Sequence, residues 1–282
     1  MSTRQPTVRE RRLAAELRRL REASGLTLEE AAEQLGWSKT KLSRIETVMR
    51  RIAAPEVQGI LDLYGVAGRR RDALITFART ARQRDWWDTE PLSTDYATYI
   101  GLEAEAEALS CYSMGVIHGL LQTEDYARNV IKAALMRFKP PAEVDRRVAV
   151  RMARQAALTD RDEPLRFWSI IDEAVLHRVC GSAEVMRAQF ARLLELAELP
   201  NVMLQVMPAA AGVHPGVAGS FSILQFPEQY FPNVVYVENV TGALYVEDEG
   251  QVHTHALAFE QMQATALSPE ESLTLLARLA RQ

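Results

Sequence analysis

The stretch Leu26-Thr27-Leu28-Glu29-Glu30-Ala31-Ala32-Glu33-Gln34-Leu35-Gly36-Trp37-Ser38-Lys39-Thr40-Lys41-Leu42-Ser43-Arg44-Ile45-Glu46 decides how the first part of this chain folds. Thr27 followed three residues later by Glu30 fits a capping box, in which each side chain satisfies a backbone amide at a helix start. The helix opened there should run to about Leu35, and Gly36 suits the left-handed turn that ends it. Ser38 is the next N-cap, and the helix it opens should span Lys39–Glu46. At ~100° per residue, Lys39, Ser43, Thr40 and Arg44 fall on one polar arc of about 140°, while Leu42 and Ile45 lie opposite. Ala32 is small where the two helices must approach each other.

Outward from this pair, Leu13, Leu17 and Leu20 recur at helical spacing between Arg9 and Ala23, and Gly25 follows. Pro55 begins a further helix to about Tyr64, and Arg69–Arg84 continues as a basic helix. Residues 9–65 therefore read as a mainly α head of four to five helices containing a helix-turn-helix. It is preceded by an arm (1–8) and followed by a basic connector helix (66–85). Charge separates the head from the rest. Residues 1–84 carry 18 Lys+Arg against 10 Asp+Glu, or +8; the other 198 carry 15 against 27, or −12, and the two sum to the chain's −4. A basic head on an acidic body implies that only the head meets a polyanion.

An apolar inner face with a Lys/Thr/Ser/Arg outer face suits a helix inserted in the DNA major groove. There Arg and Lys donate to guanine O6 and N7, and Thr and Ser reach base edges. Lys39, Thr40, Ser43 and Arg44 are the candidate base-reading residues. Thr27 and Ser38 at helix starts, with Lys41, Arg50 and Arg51, are the candidate phosphate contacts.

The segment Leu17-Arg18-Arg19-Leu20-Arg21-Glu22-Ala23-Ser24-Gly25-Leu26-Thr27 through Ser43-Arg44-Ile45-Glu46 resembles the XRE/Cro-type helix-turn-helix family. That resemblance implies DNA binding, and a structural ion pair between Arg21 and Glu46 that ties the first helix to the recognition helix.

Residues 86–282 have a different texture. Helices are expected over 94–111, 123–138, 142–158, 173–180, 183–197, 252–266 and 269–280, with an extended apolar segment at 115–122. Strands are expected over 166–171, 202–207, 220–226, 234–238 and 243–247, which makes the body α+β, a small sheet flanked by helices. Cys111 and Cys180, without CxxC spacing, read as reduced thiols. The first residues are charged rather than an apolar signal segment, and no apolar run approaches the ~18 residues of a membrane span, so a cytoplasmic, nucleoid-associated protein is expected.

The body resembles DUF5753, a domain that follows such heads in many actinobacterial regulators. The resemblance rests on Trp86-Trp87, Gly119-Leu120-Leu121-Gln122-Thr123-Glu124-Asp125-Tyr126-Ala127, Arg151-Met152-Ala153-Arg154-Gln155, Ile171-Asp172-Glu173-Ala174-Val175-Leu176, Pro200-Asn201-Val202, Gln205-Val206-Met207-Pro208, Gly219-Ser220-Phe221 and Val235-Tyr236-Val237-Glu238. It departs at His118, where the family usually has Pro. The resemblance implies an antitoxin-like regulator of the Scr1 type, akin to WhiJ-like regulators, encoded beside a very small partner protein of the DUF397 type that the body would bind. Trp86, Trp87, Gln122, Arg151 and Arg154 are the candidate partner or ligand residues.

No cofactor, metal site or catalytic role is expected. His253 and His255 diverge by about 200° if helical. Glu103 and Glu107 share a helical face with solvated surroundings, and no nucleophile elbow, P-loop or dinucleotide fingerprint occurs. A single module reads few base pairs, so a homodimer on a palindromic operator is expected, with half-sites about 34 Å apart or a multiple of that. The alternative reading makes the body a small-molecule receptor, with the aromatic junction and the 119–123 turn lining its pocket.

Overall fold

The computed structural model describes residues 7–81, 90, 92–135, 140–227 and 232–281. Trp86 and Trp87, residues 1–6 of the expected 1–8 arm and the end of the expected 123–138 helix lie outside them, while Thr7 caps the first helix, which starts at Val8. The chain divides into two compact units with the boundary between Leu102 and Glu103.

The first unit is helical: α1 (Val8–Ala23), α2 (Leu28–Gln34), α3 (Lys39–Glu46), α4 (Ala54–Leu63), α5 (Gly68–Thr80) and most of α6 (Thr94–Glu105). Leu13, Leu17 and Leu20 of α1, Leu42 and Ile45 of α3, and Val57, Ile60 and Leu61 of α4 share one core. Full burial of such a side chain stabilises by about 1.5–3 kcal/mol. The basic helix expected as a connector joins this core instead. Leu74, Ile75, Phe77 and Ala78 of α5 are buried in it, while Arg69 and Arg79 are exposed, Arg71 pairs with Asp62 and Arg70 reaches the buried Glu16 carboxylate at 2.6 Å.

The second unit is α+β. One six-stranded sheet has the order β3-β2-β1-β4-β5-β6, with β1 (Ala108–Ser113), β2 (Arg166–Asp172), β3 (Val202–Met207), β4 (Phe221–Gln225), β5 (Val234–Asn239) and β6 (Gly242–Val246). The pairs β1–β2 and β2–β3 are parallel; β1–β4, β4–β5 and β5–β6 are antiparallel. The remaining helices are α7 (Glu124–Ala134), α8 (Pro141–Arg154), α9 (Glu173–His177), α10 (Ala183–Leu196), α11 (Glu249–Thr265) and α12 (Pro269–Leu279). Phe259 and Met262 of α11 bury against Tyr112, Ile170, Phe221, Val235 and Val246 on one sheet face.

Two expectations are corrected. The helix expected over 94–111 ends at Glu105, and β1 follows. β1 lies between two strands and is buried on nearly every position, so its sequence Ala-Leu-Ser-Cys-Tyr-Ser lacks the strict alternation that marks a half-exposed strand. The segment expected as extended over 115–122 contains a 3-10 turn at Gly119–Leu121, whose N-cap is His118.

Candidate nucleic-acid interface

The α2–α3 geometry follows from the caps. The Glu30 amide donates to Thr27 Oγ1 at 3.2 Å, and the Thr27 amide donates to Glu30 Oε2 at 2.9 Å. Gly36 takes φ 67°, a conformation that strains any side chain with a Cβ, and the Trp37 amide returns to Ala32 O at 2.8 Å. Ser38 Oγ then accepts from the Lys41 amide at 3.2 Å and opens α3. Ala31 and Ala32 are buried where α2 meets α3, so the close approach needs their small side chains.

With Leu42 and Ile45 buried, α3 turns Lys39, Thr40 and Arg44 to solvent, with Ser43 half-buried beside them. Lys39 pairs with Glu29 of α2, and this hydrogen bond holds the Glu29 carboxyl below its usual range. Arg44 has no ion pair among the described residues, which leaves it the least engaged cation of the face. Lys41, in contrast, lies 3.5 Å over the Trp37 ring and 2.8 Å from Glu56. Arg50 also reaches Glu56, at 3.2 Å, and Arg51 reaches Glu10 at 3.4 Å. These partly exposed pairs are each worth little in water, so a phosphate can replace the carboxylate at small cost. Between α3 and these arginines Val48 has φ 59°, an outlier for a β-branched residue, and the Arg50 amide bonds Arg44 O at 2.8 Å.

Behind the face, Arg21 grips Glu46 through two bonds, Nε–Oε1 at 2.8 Å and Nη2–Oε2 at 3.0 Å, while its Nη1 donates to Leu26 O at 2.9 Å. The hydrogen bond to Glu46 raises the Arg21 pKa against the opposing effect of burial. One guanidinium thus joins α1, the α1–α2 turn and the end of α3. Sequence reasoning missed Glu29, Glu56, Glu10 and Trp37, which hold the cations of the face. The i,i+4 spacing of Trp37 and Lys41 was the only local signal for any of them.

In the second unit, the candidate partner residues are engaged internally. Gln122 is buried and donates to Ile117 O at 2.6 Å; Arg151 Nη1 donates to Gln122 Oε1 at 2.9 Å. Gln189 Nε2 donates to Leu121 O at 2.7 Å and Gln155 Nε2 to Gln122 O at 2.6 Å, so the 3-10 turn is clamped from both sides. Arg154 makes a buried pair with Glu103 at 2.9 and 2.7 Å. Arg146 and Arg147 pair with Glu143, which occupies two more arginines of α8. Cys111 and Cys180 are both free, and burial pushes the Cys111 thiol up to about 12. Among the described residues no group of three His, Cys, Asp or Glu side chains could hold a metal ion.

His118 sits beside these arginines, its Nδ1 accepting from the Leu120 amide at 3.3 Å. Burial, with the Arg154 and Arg151 charges added, pushes its imidazole down to about 3 from 6.5. A depressed histidine contributes stability that is complete above the unfolded value and is lost as pH falls from 6.5 toward 3. By pH 5 that loss should reach about 2 kcal/mol. Urea unfolding of the wild type and His118→Asn at pH 7 and pH 5 checks it, because Asn keeps an acceptor but does not titrate. Equal pH dependence in both would show that the fold does not hold the His118 imidazole neutral.

A helix-turn-helix domain family matches residues 12–74, the segment that holds the caps, the exposed face of α3 and the Arg21–Glu46 pair. A family described as a domain of unknown function (DUF5753) matches residues 96–278. No curated protein and no solved structure matches the chain. No helix among the described residues is long and apolar enough to cross a membrane. With a DNA-binding helix-turn-helix domain in front and the second match spanning most of its length, the chain belongs to the DUF5753 family.

Proposed function

We propose that this protein is a sequence-specific, antitoxin-like transcription regulator of the cytoplasm and nucleoid, and that it catalyses no reaction. It binds a palindromic operator as a homodimer, and its acidic second unit holds a small protein partner that changes operator occupancy. The observation that carries the reading is the recognition helix. Its inner face is buried and clamped by a bidentate ion pair, while its outer face offers Lys39, Thr40, Ser43 and Arg44 to a groove.

Affinity would come mainly from Arg50, Arg51 and Lys41 exchanging carboxylate for phosphate, and specificity from the four outer residues of α3. The family match supports the DNA-binding part, and residues 103–282, with 15 Lys+Arg against 23 Asp+Glu, carry a net negative charge that keeps that unit off the polyanion. A small-molecule receptor built on the 119–123 turn finds less support, since Leu120, Leu121 and Gln122 are buried.

Arg44→Ala is the sharpest test at the level of one residue. Duplexes selected from a random pool by the wild type should bind the variant about 1–3 kcal/mol more weakly, with preference relaxed at one position of each half-site. Unchanged selectivity would remove Arg44 from the reading set.

A further inference from the structure

The two ends of the sheet are finished differently. At the β3 end, the Val206 amide donates to Ser272 Oγ at 2.9 Å and the Leu267 amide donates to Val206 O at 2.9 Å. The Gln205 side chain donates to Gln263 O at 3.2 Å and Leu267 O at 3.0 Å, so the α11–α12 connection and α12 seal that edge. At the other end β6 is the last strand, and among the described residues no strand pairs with its outer side. Sheets normally blunt such an edge with Lys, Pro, a bulge or a cover. Gly-Ala-Leu-Tyr-Val of β6 contains no Pro and no charge, with Leu244 57% exposed on it and Val240 93% exposed in the turn before it.

Charge says what would suit this edge. Between Arg192 and Arg278 the sequence holds no Lys or Arg and ten Asp or Glu. Four of these acids bracket β6: Glu238 on the neighbouring strand, and Glu247, Asp248 and Glu249 directly after it, all exposed. Glu238 and Glu247 have no ion pair among the described residues. A second copy would bring the same acids and no cation to the edge. A basic extended segment would meet opposite charge on both flanks of an uncharged strand.

We propose that β6 is the docking edge for an extended segment of the protein partner, apolar at alternate positions and flanked by Lys or Arg, which adds to the sheet as a seventh strand. This rests on the reading that the second unit binds a protein partner, and it adds the place and the chemistry. Backbone hydrogen bonds along Gly242–Val246 hold the segment, an apolar side chain covers Leu244, and the flanking cations meet Glu238 and Glu247.

The probe is a fluorescein-labelled nine-residue peptide, alternating Val and Thr between Lys pairs, titrated against the full-length protein by anisotropy. Binding should be at least tenfold weaker for the same peptide with Glu in place of Lys, and for Glu238→Lys combined with Glu247→Lys. Amide exchange of β6 should slow in the complex. The two reversed acids are exposed, and an unchanged melting curve together with unchanged DNA binding checks that the variant is folded. Equal binding of the acidic peptide, or an unmoved affinity in the charge-reversed protein, overturns the proposal. So does a wild-type dimer that Leu244→Lys splits into monomers while the basic peptide fails to bind, since a second copy would then hold the edge. A natural partner that still co-purifies with both the charge-reversed and Leu244→Lys proteins overturns the site but leaves the partner reading intact.

Discussion

Glu46→Ala should destabilise the first unit by about 3–5 kcal/mol, the range for breaking one side of a buried pair. The side chains of Arg21 and Glu46 are only 10% and 6% exposed; without Glu46, Arg21 keeps the Leu26 carbonyl at 2.9 Å, and its other carboxylate, Glu22 at 3.5 Å, is half-exposed. Removing Glu46 leaves a guanidinium without its two-point acceptor at the place where α1 and α3 are joined. Urea unfolding followed by helical circular dichroism should show the early transition shifted to lower denaturant. Replacing both members by Met and Leu should recover much of the loss, because the cost lies in the stranded charge. A loss below about 1 kcal/mol for Glu46→Ala would mean that water reaches the pair and that it does not hold α3.

Arg154→Ala should destabilise the second unit by a similar about 3–5 kcal/mol. Arg154 and Glu103 are 5% and 2% exposed, so the variant strands a buried carboxylate without its two-point donor. The same experiment decides between two roles for Arg154. As part of the partner site it would lose partner binding at unchanged stability. As a structural arginine, which its burial indicates, it should lower the melting temperature first.

The head was legible because its signals are local. Thr27 with Glu30, Gly36 and Ser38 each act within four residues, so caps and turns could be placed before any contact was known. The Arg21–Glu46 pair spans 25 residues and came from family resemblance, and the distance of 2.8 Å gives it a physical basis. β1 has the sequence texture of a helix because a strand enclosed on both sides has no alternation to show, and Ala, Leu and Glu before it favour helix. The Arg154–Glu103 pair joins residues 51 apart and has no local signature at all. The candidate cations are legible in the sequence but their carboxylate partners are not, because Lys41 with Glu56 and Arg51 with Glu10 meet only once the helices pack.

The most direct measurement is the affinity of the full-length protein for its selected duplex across a range of salt, for the wild type and for Lys39→Glu combined with Arg44→Glu. Wild-type affinity should fall steeply with salt, and the charge-reversed protein, folded by its melting curve, should lose most of its preference for that duplex over random DNA. If no duplex is enriched from a random pool, or if reversing both charges leaves duplex affinity where it was, α3 is not a DNA-reading helix.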